Sequence, residues 1–375
     1  MMFKLKVVQA FHGDCLIIEY RALGESWHML IDGGPGRTYE EHLKSELIAI
    51  QEAGGKLDLI VLSHVDDDHI NGLLDLFKDL VQQRRREQKP ETITAAGLWH
   101  NSFAKTLGSS TERSLTRQMD QSPLPRGKMP TADLQERSIR QGSDLTANAR
   151  GLLIPINREF RDTPDGLICV ENADKPFTFE NLSVQIVGPT RAALQKLRTD
   201  WEKWLAAQKK AAEAKADVEV TARALDKSVP NLSSIMLLIE AEGKSVLLTG
   251  DGRGDHLLEG LQQAGVLKED GTFHVDVFKL PHHGSARNIT AELFEQITAN
   301  TYLICADGKH DNPDYQTLEW LVEAAVKQER SFQLIATNDT DGLQRLVAAY
   351  PPASNGYNLA LLEAGQNGLT IDLSN

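Results

Sequence analysis

The sequence has little cysteine: three residues, Cys15, Cys169 and Cys305, spread over 375 positions. An odd, dispersed set of thiols supports neither a disulfide framework nor a cysteine-based metal site, and it fits a reducing cytoplasm. Long apolar runs are missing too, since none approaches the roughly 20 residues needed to span a bilayer. The opening stretch, MMFKLKVVQAFHGDCLIIEY, alternates like a strand rather than a signal peptide. A soluble, cytosolic protein without a membrane role is expected. Positive charge is in deficit, with 40 Lys and Arg against 53 Asp and Glu and a formal net charge of −13. Surface-wide attraction to nucleic acid is thereby excluded, and any such contact has to be local. Aromatics make up only 6%, and no basic groove with interleaved aromatics announces a nucleic-acid track.

What is present is an alternation of strand and helix signals. Strands are expected near 3–10, 14–20, 28–32 and 57–62, and helices near 38–53 and 70–88. LDLIVLS is apolar enough for a strand buried on both faces. The second helix closes in QRRREQKP, a basic run that reads as a solvated C-terminus complementing the helix dipole. ITAAGLWHN reads as a strand ending on His100. Residues 101–150, rich in Ser, Thr, Arg and Gln with several prolines, read as loops and short helices outside a core. GLICVE and LSVQIVGP resume the strand pattern. The stretch from about 190 to 225, with DWEKWLAAQKKAAEAKADVE, reads as a protruding charged helix or hairpin suited to a lid or dimer arm. The second half adds SSIMLLIEAEG, KSVLLTGDG, VDVFKLPHHGS, TYLICADG, SFQLIATN and a closing hairpin, NLALLEAGQNGLTIDL, with helices near 287–299 and 314–329. Such alternation implies an α/β architecture.

One short stretch, SHVDDDHINGL at 63–73, sets three carboxylates and two imidazoles into six positions. His64, Asp66, Asp68 and His69 stand at offsets 0, 2, 4 and 5. An extended loop leaving a strand turns the first three to one side, and the start of the following helix brings in the last imidazole. An acidic helix N-cap needs only one Asp. An EF-hand loop counted from Asp66 meets Phe77 where a bidentate Glu is required. Divalent cations make the crowding tolerable by neutralising it. Further donors lie at C-terminal strand ends, where open α/β sheets build sites. Asp251 ends VLLTGDG, His282 and His283 end VFKLPHHGS, and His100 ends GLWHN. His12, His28, His42, His256 and His274 lack a partner motif and read as ordinary core or surface residues, while His310, just after a strand, could reach the site from a loop.

In the order and spacing of HGDCLIIEY, LIDGG, LSHVDDDHINGL, NLSSIMLLIEAEGKSVLLTGD and LPHHGS, the chain resembles the metallo-β-lactamase fold hydrolases, and among them the ComEC-type branch associated with DNA uptake. The resemblance implies an αββα sandwich, two sheets flanked by helices, formed by residues 1–375 as a single domain with insertions at about 101–150 and 190–225. It also implies a binuclear metal site at one edge. Position by position, His64, Asp66 and His100 would hold one ion, Asp68, His69 and one of the two late histidines the other, and Asp251 would bridge them. His283 is favoured because a small residue, Gly284, follows it. His282 would then stand behind the ligands or touch substrate, and Asp32 in LIDGG would orient the ligand loop. Asp66 departs from the commonest pattern, which has His there. Three carboxylates facing two divalent ions leave about +1 before hydroxide instead of +2, a harder site that favours Mn or Fe relative to an all-histidine one, with Zn also admitted.

The activity so implied is metal-dependent hydrolysis, foremost of phosphodiesters in nucleic acids or nucleotides, by a hydroxide shared between the two ions. Asp68 is expected to orient that nucleophile and shuttle its proton. Lys279, His282, Ser285 or His310 would neutralise phosphate charge or protonate the leaving group. The same site runs hydrolysis of small esters, lactones and thioesters, which the net negative charge slightly favours. A third reading is a regulatory or scaffold protein whose metal site is structural and whose insertions contact a second copy or another protein. A redox role, suggested by the carboxylate that flavodiiron proteins carry at the position of Asp66, lacks a flavin-binding domain.

Overall fold

The computed structural model describes residues 1–86, 92–101, 132–199, 202–203 and 233–374. Alternation in β1 (Met2–Val8) turns Phe3, Leu5 and Val7 inward and leaves Lys4 and Lys6 half-exposed between them. Next to it run β2 (Leu16–Ala22), β3 (Glu25–Ile31), β4 (Leu59–Val61) and β5 (Leu98–Trp99), and a six-stranded sheet is completed by β14 (Gly368–Asp372) on the other side of β1. The second sheet has eight strands, β6 (Phe177–Phe179), β7 (Leu182–Gly188), β8 (Met236–Ala241), β9 (Lys244–Leu248), β10 (Phe273–Lys279), β11 (Ile297–Ile304), β12 (Phe332–Ala336) and β13 (Tyr357–Leu361), each beside its sequence neighbour.

Leu5, Leu16, Ile18, Tyr20 and Met29 of the first sheet meet Val184, Ile186, Leu237, Ile239 and Val246 of the second in one core between the sheets. Leu30, Ile60 and Leu62 face outward, under α1 (Lys44–Glu52), α2 (Asp67–Arg85) and α3 (Ala132–Gly151). Leu247, Phe278, Tyr302 and Leu334 do the same under α4 (Gly254–Gln263), α5 (Ala291–Gln296), α6 (Tyr315–Lys327) and α7 (Asp341–Ala349). Full burial of each such side chain stabilises by roughly 1.5–3 kcal/mol, and these three apolar layers hold four layers of structure in the αββα order. Among the described residues no helix is long and apolar enough to cross a membrane.

Several expected elements come out differently. GLICVE is not a strand: Val170–Asn172 makes a single 3₁₀ turn, and the Asn101 side chain takes the place of a ladder by bonding the backbone N–H and C=O of Ile168, both at 2.8 Å. The closing segment is not a hairpin either. β13 runs parallel to β12 in the second sheet, whereas β14 pairs antiparallel with β1 in the first. The helix expected over 287–299 is shorter, because Ile297 already opens β11. The end of the expected insertion at 101–150 joins the core, where Leu145 and Ala149 of α3 pack with Leu73 and Phe77 of α2. Most of the segment from 190 to 225, and with it the expected lid or arm, lies outside the described residues.

Candidate metal centre

The apolar strand β4 ends at Val61, and the chain stays extended through Asp66 (φ −79°, ψ 152°) before α2 begins at Asp67. That places His64 and Asp66 on an extended loop and Asp68 and His69 in the first turn of a helix, where carboxylates complement the dipole. From the second sheet, β9 leads into Asp251, and β10 into the turn that carries His282 and His283. Both histidines have left-handed backbones, φ 47° and 56°, a conformation that costs of order 1 kcal/mol or more for a residue with a Cβ. The turn is held by His282, whose N–H donates to Gly250 O at 3.1 Å. Where the two groups of loops meet, Ile235 N–H donates to Ser63 O at 2.9 Å.

Asp251 is the focus, and its two oxygens face different donors. Oδ2 lies 3.7 Å from His64 Nε2 and 3.6 Å from His282 Nε2, and Asp66 Oδ2 is 3.6 Å from the same His64 nitrogen. Oδ1 lies 3.2 Å from His69 Nε2 and 3.4 Å from His283 Nε2, with Asp68 Oδ2 3.5 Å from the latter. Ligand atoms of Asp68, His69, Asp251 and His283 all fall within 4.8 Å of one another.

The surrounding hydrogen bonds set the tautomers. His69 Nδ1 is 2.8 Å from Asp32 Oδ2, and His283 Nδ1 is 2.7 Å from the Cys305 carbonyl, so each donates its Nδ1 proton. His282 Nδ1 likewise meets Asn288 Oδ1 at 2.9 Å. Ser63 Oγ donates to Asp32 Oδ2 at 2.6 Å and therefore accepts from His64 Nδ1 at 3.0 Å. Four imidazoles are thus locked with Nδ1 turned to the protein and Nε2 turned to Asp251, the orientation that metal-binding histidines need. Nε2 of His64, His69 and His283 and Oδ1 of Asp251 are buried without a hydrogen bond. Each such group costs of order 1–3 kcal/mol, and a divalent cation among them would remove that cost, so the donor set fits such ions. In the chain alone, burial works against charge, but it is overcome. His69 is held well above the usual imidazole range by Asp251 and Asp32, and His283 above it by Asp251 and Asp14. Burial likewise raises Asp251, but His283, His282 and His69 hold it well below the usual carboxylate range. A cation binding here would displace imidazole protons.

The structure therefore brings His64, Asp66, Asp68, His69, Asp251, His282 and His283 together. Two expectations need correction. His100 is buried at the end of β5, its backbone bracketed by the Asn157 side chain. Its Nε2 lies 3.2 Å from Thr146 Oγ1, whose hydroxyl also donates to Gly142 O, and His100 is not among the four residues whose ligand atoms fall within 4.8 Å of one another. His282 instead faces Asp251 Oδ2, the same oxygen that His64 faces. Lys279 does not face substrate: it is fully buried, donates to Gly250 O at 3.0 Å and pairs with Asp14. Ser285 is buried and His310 exposed. Asp14 was missed. Its signal was HGDC, a charged residue directly before an apolar strand, and its Oδ1 sits 3.5 Å from His283 Nδ1.

Residues 9–112 match the family model of the metallo-beta-lactamase superfamily. This superfamily region contains Asp14, Asp32 and the whole His64–His69 cluster, while Asp251, His282 and His283 lie beyond it. Among solved structures, the chain is similar to a "Putative metal-dependent hydrolase from Parabacteroides distasonis" at 10% identity, covering 96% of this chain and 94% of that one with a TM-score of 0.35. It is also similar to a protein of unknown function from Enterococcus faecalis at 12% identity, covering 98% and 71% with a TM-score of 0.31. No curated protein matches the chain.

Proposed function

We propose that the protein is a metal-dependent hydrolase with a two-ion centre, acting foremost on phosphodiesters of nucleic acids or nucleotides in a reducing, cytoplasmic setting. The observation that carries this reading is the division of Asp251: each carboxylate oxygen faces its own pair of Nε2 atoms. His64, Asp66 and His282 would hold one ion, His69, His283 and Asp68 the other, and Asp251 both. Manganese, iron and zinc all suit such mixed carboxylate and imidazole donors. Bound there, two divalent ions would supply an activated water and a Lewis acid for the substrate's oxygen.

The chain's own groups complete the chemistry. Asp68 is half-exposed at the mouth, and although burial raises its pKa, His283 and His69 keep it below the usual carboxylate range. It is ionised and placed to accept a hydrogen bond from an attacking water and so align it. A cavity of about 610 Å³ has a wall that includes Phe11, His12, Arg37, Asn71, Asp75 and Asp307. Arg37 in this wall is already engaged, its guanidinium 4.9 Å over the Phe11 ring and doubly hydrogen-bonded to Glu41 at 2.7 and 3.0 Å, so the choice between phosphodiester and small ester rests on the activity test below.

The test is metal content by mass spectrometry, followed on the same sample by Mn- and Zn-dependent cleavage of bis-p-nitrophenyl phosphate and single-stranded DNA beside p-nitrophenyl acetate and a lactone. About two ions per chain, phosphodiester cleavage, and a loss of 10³-fold or more in Asp251→Ala are expected. Cleavage of the ester or lactone alone would move the substrate to the small-molecule class. Full metal loading with no hydrolysis would favour the scaffold reading, and full turnover in Asp251→Ala would overturn the proposal.

A further inference from the structure

Directly behind the centre lies a buried charge pair that the mechanism does not use. Asp14 stands on the loop before β2 in the first sheet, Lys279 at the last position of β10 in the second, and both are inaccessible. The ammonium makes two contacts, to Asp14 and to the carbonyl of Gly250, the residue before Asp251. Asp14 in turn reaches two candidate ligands: its Oδ1 is 3.5 Å from His283 Nδ1, and its Oδ2 is 4.0 Å from His69 Nδ1. Its backbone N–H also meets Asp68 O at 3.3 Å. Every one of these neighbours, His69, His283 and Asp68, belongs to the group that faces Asp251 Oδ1. His64 and Asp66 are fixed by other means, His64 through Ser63.

We propose that Asp14, locked by Lys279, is a positioning residue for one of the two ions, the one held by His69, His283 and Asp68, and that the ion held by His64, Asp66 and His282 is independent of it. The inference rests on the two-ion reading above. A buried ion pair kept only for stability is replaceable by apolar or neutral groups at little net cost. A carboxylate whose charge lies 3.5 and 4.0 Å behind two imidazoles already oriented by Cys305 O and Asp32 is not, because its loss removes negative charge from behind both rings and lowers the basicity of the nitrogens they present. The pair also ties the two sheets together at the point where their ligands must meet, so an error in their alignment falls on this ion first.

The experiment uses the full chain, stripped by chelator and titrated with Mn²⁺. Isothermal titration gives the affinity of each site and electron paramagnetic resonance reports whether two neighbouring ions are coupled. Asp14→Asn, which keeps the shape, is expected to weaken one of the two sites about 10–100-fold and leave the other as in the parent, with the coupled signal replaced by that of an isolated ion. Lys279→Met keeps the Asp14 charge but removes a donor from Gly250 O, the acceptor that the His282 N–H also uses, so it is expected to disturb both sites rather than reproduce the one-sided loss. Adding His64→Ala to Asp14→Asn should abolish the remaining site. If Lys279→Met fails to fold, Asp14→Asn decides. Two sites of parental affinity in folded Asp14→Asn, or equal weakening of both, would overturn the inference and leave the two-ion reading standing. A parent chain that takes up no metal would overturn both.

Discussion

At Asp32 a single carboxylate serves three donors: the Ser63 N–H at 2.7 Å, the Ser63 hydroxyl at 2.6 Å and the His69 ring at 2.8 Å. It does so from a left-handed backbone, φ 58°, and through Ser63 it also fixes His64. One side chain therefore orients an imidazole in each half of the centre. Asp32→Asn, equal in size but with one acceptor fewer, is expected to weaken both ions about 10–100-fold, in contrast to the one-sided effect of Asp14→Asn, and chelator competition measures it. At this scale the sequence was most legible where ligands are close in the chain. Offsets 0, 2, 4 and 5 let a strand end and a helix start gather His64 through His69, but the helix begins earlier than expected, at Asp67, so Asp68 stands in its first turn beside His69 rather than on the extended loop. The adjacent histidines were legible only in part. Their consecutive left-handed conformations set the rings at 82° to one another, so both reach Asp251 from different sides, which a strand-like alternation does not foresee. His100 was expected among the ligands from its strand-end position, which fixes where the backbone ends and not where the ring points; its Nε2 meets Thr146.

Among the elements, α2 is pressed end-on against the loop after β3. A Cβ on Gly72 would fall 1.8 Å from Gly33 O, so only glycine allows the helix to seat with Asp68 and His69 in register. Gly72→Ala is expected to destabilise the fold by about 1–3 kcal/mol and to lower metal affinity in whatever fraction stays folded, as read by denaturant titration and metal binding. Helices and strands with strong periodicity were legible in position and type. What local pattern could not give was partnership. β13 and β14 read as a hairpin because two strand-like runs flank a glycine turn, but each is half-exposed and lies at the edge of a different sheet. Pairing is decided by the empty edges of β12 and β1, which are made by residues far away in the chain.

For the molecule as a whole, the three thiols report on the integrity of the sandwich. Cys15, Cys169 and Cys305 are all buried and free. Burial pushes Cys15 and Cys305 well above the usual thiol range, helped in Cys15 by Asp32 and in Cys305 by Asp14, and it pushes Cys169 up to about 12, aided by Glu171. All three are protonated at neutral pH and poor nucleophiles. Alkylation by iodoacetamide should be negligible in the native protein and reach three per chain in denaturant, as counted by intact mass. A fast native reaction would show that the layers separate under ordinary conditions. The alternation of strands and helices made an α/β architecture legible, and the four-layer order came only with the family resemblance, whereas the inward role of the 132–151 helix was hidden behind a polar, proline-containing stretch.

The candidate ligands are divided between the sheets, four from the first and three from the second. An ion bound there would act as a rivet across a seam, with the apolar layer behind it as the glue. Remove the rivet and the seam gains play at one edge while the glue still holds, so strand ends β4 and β9 become free to breathe without the molecule coming apart. Catalytic readiness and mechanical stiffness at that edge are then one property, set by the same few bonds.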